Sequence, residues 1–223
     1  MLPIQKDLVK KSWIFTSNML KNGHIRENRS GGNLKRDKKN KAIDTFQGKL
    51  AEFAFWDMAK NNKILLSEPD CSILSKGEYD NGDFIYNNKN ISIKSIKPNA
   101  QFLLLETKNF NKNGYEIIFN PPKKNDFTCV LKIIFKPKNI YKNLFVKDFI
   151  DNIQTIDDVK NNLHNFYFSF PGYLTFEDFK KIVDSKQIMY QGNTLGKYCK
   201  LDADNYYCRL NDLNKSETIW EKI

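Results

Sequence analysis

Between Tyr79 and Lys97 the chain reads YDNGDFIYNNKNISIKSIK, apolar and polar residues alternating on either side of an Asn-rich break. A period of two is the signature of strands with one covered face, and a short polar break between two such runs predicts a β-hairpin. With Asn88-Lys89 as the two-residue turn and Asn87 and Asn90 paired beside it, Tyr86 faces Ile91, Ile85 faces Ser92, Phe84 faces Ile93 and Asp83 faces Lys94. Asp83, Ile85, Ser92 and Lys94 then share one face, and Phe84, Tyr86, Ile91 and Ile93 fill the other. An Asp opposite a Lys is ordinarily a modest cross-strand ion pair. The segment Ile91–Ile96 is too apolar for a solvated edge, however, so a half-buried Lys94 needs a partner or a purpose.

The flanking sequence supplies helices on both sides of a run of strands. Leu8 to Met19 has amphipathic spacing, with Gly23 just past its end. Residues 24–41, HIRENRSGGNLKRDKKNK, have no apolar periodicity and read as a basic loop. Asp44-Thr-Phe-Gln47 has capping-box spacing and opens a second helix, in which GKLAEFAFW (48–56) places Glu52 on the face that carries Gly48, Phe55 and Trp56. A glycine there lets another backbone or a phosphate come close. From Ile64 to about Phe135 the runs ILL, DFIYN, NISIKSI, FLLLE, YEIIF and CVLKIIF predict short strands. Residues 147–163 read as helical, Thr175–Asp178 opens a helix reaching about Val183, and YYCRL closes with a strand. The pattern predicts one α/β or α+β domain over residues 1–223, a central mixed sheet flanked by helices.

Apolar residues make up 40% of the 223-residue chain, and 17 Phe with 10 Tyr are enough for a bulky core. No window has the length of a membrane-spanning helix, and the charged N-terminus does not read as a secretory signal, so a cytoplasmic location and no membrane partner are expected. Cys71, Cys129, Cys199 and Cys208 form no CxxC pair, which argues for reduced thiols rather than a zinc or redox motif. A net charge of +10 predicts attraction to a polyanion, chiefly nucleic acid. The two histidines, His24 and His164, have no zinc-ligand neighbours, which argues against an HNH-type nuclease. No GxSxG, Walker A or GxGxxG motif points to a nucleotide cofactor.

A helix bearing a Glu, then an Asp on one strand of a hairpin, then an x-K tripeptide on the next, resembles the PD-(D/E)xK nuclease superfamily and, within it, the small type II restriction endonucleases. Here the sequence carries Glu52, Asp83 and Ser92-Ile93-Lys94 in that order, over about residues 44–135. RSGG (29–32), DFTCVLKIIF (126–135) and ADNYYCRL (203–210) look like flanking elements of such enzymes. The resemblance implies a restriction-endonuclease-like core, a Mg²⁺ ion held by Glu52, Asp83 and the Ile93 carbonyl, and Lys94 polarising the attacking water. It also implies a prokaryotic homodimer acting on double-stranded DNA, with residues 136–223 serving recognition or dimerisation. Ser92 departs from the family pattern by standing where an acid is usual, and the resemblance implies that Glu52 supplies the missing carboxylate, with Asp80 as an alternative ligand. Pro69-Asp70 matches the letters "PD" but has no strand after it to carry Asp70 to Lys94.

Arg26, Arg29 and Arg36 in the basic loop, Arg209, and the Gln191-Gly-Asn193 turn are the candidate DNA contacts, to phosphates or to base edges. Two other functions fit the same residues: a structure-selective or repair nuclease with the same core, and a non-catalytic DNA-binding protein in which Asp83 and Lys94 are structural.

Overall fold

The computed structural model describes residues 1–21, 38–73, 82–136, 165–196 and 199–223. Arg26, Arg29, Arg36, Asp80, both histidines, most of the basic loop and the helix expected over 147–163 lie outside these residues.

The architecture is α+β, built on a mixed five-stranded sheet in the order β1-β6-β5-β3-β2. The strands are β1 (Leu2–Pro3), β2 (Phe84–Tyr86), β3 (Lys89–Ile96), β5 (Phe127–Phe135) and β6 (Phe166–Thr175). β3 and β5 are parallel, and the other neighbours are antiparallel. A second, three-stranded sheet has β10 (Asn205–Arg209) between β4 (Phe102–Glu106) and β7 (Ile188–Met189). Thr194–Leu195 (β8) and Cys199–Lys200 (β9) form a separate two-stranded ribbon.

Alternation along the strands divides the interior into two cores. Ile91, Ile93, Cys129, Leu131 and Ile133 turn to one face, beneath helices α1 (Lys6–Lys21) and α2 (Lys38–Asn61). Val130 and Leu174 turn to the other, where Leu103, Leu105, Cys208 and helix α3 (Phe176–Asp184) meet them. Helix α2 buries Ala42, Phe46, Leu50, Ala51, Phe53, Ala54 and Phe55, more than one stripe, because α1 lies along it while the sheet lies below. Trp13 of α1 meets Phe46 edge-on at 5.9 Å. On the same face Ile219 is fully buried and the Trp220 ring lies 5.5 Å from that of Phe55.

Several boundaries differ from the sequence reading. Helix α2 starts at Lys38, not Asp44, because three lysines, good helix formers, extend it ahead of the first buried residue, Ala42. Ile64–Leu66 is not a strand; it leads away from α2, with Leu65 exposed and the Leu66 carbonyl accepting from Trp56 Nε1 at 3.2 Å. Residues 115–119 form isolated bridges rather than a strand. β6 carries Pro171 and Gly172 in its middle, and the ladder accommodates them by a bulge in which Gly172 pairs with Val130 and Ser169 with Lys132. Gly172 has a φ of +153°, and a Cβ there would lie 2.2 Å from the Asn214 carbonyl oxygen. The helix expected at Thr175 is present as α3, with the Thr175–Asp178 capping box formed in both directions.

The hairpin is where the sequence placed it, in a different register. Phe84 pairs with Ile91, Ile85 with Asn90 and Tyr86 with Lys89, so the turn is Asn87-Asn88. Both turn residues have positive φ, 48° and 61°, the geometry of a type I′ turn. The shift of two residues moves Asp83 from opposite Lys94 to beside Ser92. It leaves every side chain on its expected face, because only an odd slip exchanges the faces.

Candidate functional site

Asp83 immediately precedes β2, and its carboxylate lies against β3. Oδ2 accepts the Ile93 N–H at 2.6 Å and the Ser92 hydroxyl at 3.3 Å. Oδ1 accepts no hydrogen bond among the described residues. Ser92 is buried, and Lys94, two positions on and about 7 Å further along the strand, is half-buried on the same face. In the parallel register Lys94 is paired with Val130, whose side chain belongs to the core beneath α3. Cys129 is fully buried on the other side of the sheet; burial pushes its thiol well up, and the charge of Asp83 adds to the effect.

The expected Asp83–Lys94 ion pair is not formed; the partner of Lys94 is Glu116, at 3.9 Å from Nζ to Oε1. Glu116 sits in the loop between β4 and β5. Its backbone N–H and C=O exchange hydrogen bonds with Lys123 at 2.8 and 2.9 Å, and Asn125 Nδ2 donates to its Oε2 at 2.8 Å. Its side chain is only 8% exposed. No motif announced it; the sequence shows only an acid inside the apolar run YEIIF.

Glu52 lies on α2, the helix covering the opposite face of the sheet from Lys94. Its Oε2 is paired with Lys49 Nζ at 2.5 Å, and both side chains are nearly buried, at 12% and 5% exposure. Lys49 also donates to the Asp70 carbonyl at 2.7 Å and lies over the Phe15 ring at 4.6 Å. Gly48 has open space where a Cβ would stand, so no protein backbone occupies the approach it was expected to permit. Asp70 is satisfied locally. Bonds from the backbone N–H and hydroxyl of Ser72 pull its carboxyl below the usual range, against the opposing effect of burial.

Among the candidate DNA contacts, Gln191, Asn193 and Arg209 are exposed. Gln191 N–H donates to Asp204 Oδ1 at 2.7 Å, and Gly192 and Asn193 are tied to Leu201 through their backbones, so the turn is held while its side chains face outward. Arg209 ends β10.

Among the described residues no three His, Cys, Asp or Glu side chains gather as a metal-binding group, and no helix is long and apolar enough to cross a membrane. Mg²⁺ takes oxygen ligands and keeps several waters, so one or two carboxylates suffice to hold it. Asp83, with one oxygen uncommitted, fits that requirement. No family model, curated protein or solved structure matches the chain.

Proposed function

We propose that this protein is a Mg²⁺-dependent endonuclease that hydrolyses phosphodiester bonds of double-stranded DNA at a short specific sequence, as a type II restriction enzyme does. The observation that carries the proposal is the seating of Asp83 on β3: its carboxylate is bonded at Ile93 and Ser92, one strand repeat before Lys94, with all three polar side chains on one face. A bound Mg²⁺ would supply Lewis-acid stabilisation and an activated water. Asp83 would present Oδ1 to the cation while Oδ2 stays fixed to the strand. Lys94, whose side chain is 31% exposed, can reach a substrate from the sheet, orient the attacking water and offset the charge that develops on the phosphate. The net charge of +10 supports a polyanionic substrate, with Gln191, Asn193 and Arg209 available on the surface to contact it. A homodimer matched to a palindromic site belongs to the same proposal.

A second reading, a non-catalytic DNA-binding protein, draws on the pairing of Lys94 with Glu116 and of Glu52 with Lys49, since both pairs can be structural. Digestion of plasmid and phage DNA with and without Mg²⁺, comparing wild type with Lys94→Ala, separates the two. Discrete bands that vanish in EDTA and in the variant are expected. Gel-shifted but intact DNA in every lane would leave the binding protein. Cleavage confined to branched substrates would instead identify a structure-selective nuclease.

A further inference from the structure

We infer that the β8–β9 ribbon, with the Gln191–Asn193 turn at its base, enters the major groove of double-stranded DNA and reads A·T pairs there. The inference rests on the proposed double-stranded DNA partner and goes beyond it by assigning the reading element and the class of base pair.

Three observations carry it. First, the ribbon stands apart. β8 and β9 pair with each other and with neither of the larger sheets. Thr194 and Lys200, opposite one another, are both exposed. A side chain at Gly192 or Gly196 would start in open space, with no described atom within 4 Å of its Cβ. The major groove of B-form DNA, about 12 Å wide, admits a two-stranded ribbon. The deep, narrow major groove of A-form RNA does not.

Second, the base of the ribbon is fixed. The Gly192 N–H donates to the Leu201 carbonyl at 2.8 Å, and the Leu201 N–H donates to the Asn193 carbonyl at 2.9 Å. The Gln191 N–H is held by Asp204 Oδ1 at 2.7 Å, and Leu201 and Ala203 are buried below. The outward side chains of Gln191 and Asn193 are thus carried on an anchored backbone, which lowers the ordering cost of binding.

Third, the chemistry of the segment suits the groove. From Lys186 to Lys200 the sequence holds three lysines and no acid, although the chain has 26 acidic residues. That charge favours entry between two rows of phosphates. The carboxamides of Gln191 and Asn193 each combine a donor with an acceptor, which is what N7 and N6 of adenine require, and the Thr194 methyl can meet the methyl of thymine.

The test starts from a pool of randomised duplexes, selected for binding in EDTA and again in Ca²⁺, with the bound fraction sequenced. Fluorescence anisotropy then compares wild type, Gln191→Ala and Asn193→Ala on a selected and an unselected duplex. Both positions are exposed, so the fold should survive, and circular dichroism checks it. Wild type is expected to select A·T pairs at fixed positions. Each variant should bind the selected duplex about 10–100-fold more weakly and the unselected one less than about threefold more weakly. No sequence preference in wild type, equal losses on the two duplexes, unchanged binding by both variants, or selection of G·C pairs at the positions the variants relax would overturn the inference. Selected A·T pairs relaxed by the variants, with no cleavage in Mg²⁺, would leave it standing and remove the nuclease reading. Cleavage at one discrete sequence that both variants cut with unchanged preference would do the reverse.

Discussion

Asp83 accepts the Ile93 N–H at 2.6 Å and so does the work of a strand partner at a point where β2 has not yet begun. One side chain therefore holds the hairpin and, in the proposed function, a cation. The two roles separate by substitution. Asp83→Asn keeps an acceptor for Ile93 and should change stability by no more than about 1 kcal/mol, while DNA cleavage falls by about 10²–10³-fold. Asp83→Ala leaves the Ile93 N–H unpaired and should cost about 1–3 kcal/mol in addition. Urea denaturation and plasmid digestion read the two effects. An Asn variant that cuts at the wild-type rate would reduce Asp83 to a structural residue.

Lys49 and Glu52 form a pair so nearly buried that breaking it should cost more than the pair contributes. Replacing Lys49 by Met removes the cation beside the nearly buried Glu52 carboxylate and unties the Asp70 carbonyl, with an expected loss of about 3–5 kcal/mol. Replacing both residues by Met should restore much of that loss. Chemical denaturation of the two single variants and the double variant gives the coupling directly. A double variant as unstable as Lys49→Met would show that the loss does not come from the Glu52 charge.

Asp178 links the capping box of α3 to the C-terminal segment. Burial works to raise its carboxyl, but bonds from Thr175 and Asn214, helped by Lys181, hold it below the usual carboxylate range. The unfolded chain therefore takes up the proton at higher pH than the folded one. The stabilisation is complete above the unfolded value, near pH 4, and is lost as pH falls through the native value. Asp178→Asn should be less stable than wild type at neutral pH, and the gap should narrow below about pH 4. Thermal melts across pH 2.5–7 would show it; a gap independent of pH would mean that the charge of Asp178 contributes nothing.

The sequence read most clearly where burial and period agreed. Phe84, Ile91 and Ile93 face the α2 core because alternation has a parity, and parity survived an error in the turn. The turn itself was legible in principle. A type I′ turn needs positive φ at both central residues, which Asn adopts more readily than Lys, so Asn87-Asn88 was the better choice than Asn88-Lys89. β6 was hidden because Pro171-Gly172 reads as a breaker, and only the bulge opposite Leu131 shows how a strand passes through it. ILL at 64–66 failed for the converse reason, since apolar residues without a sheet edge to join have nothing to pair with. Glu116 was out of reach because its importance lies in a partner 22 residues away, and local pattern carries no record of such contacts.

The burial of Ile219 and Trp220 against α2 has a bearing on how the chain is made. Helix α2 ends at Asn61, yet the face it presents to Trp220 stays bare until residue 220 has left the ribosome. β1 must likewise wait for Phe166–Phe168 before it can pair. β1 and α2 are thus sealed only by segments far downstream of them, and the polypeptide between is held without a finished core until those segments dock. In the proposed nuclease, such a folding order would withhold activity until Trp220 has docked on α2.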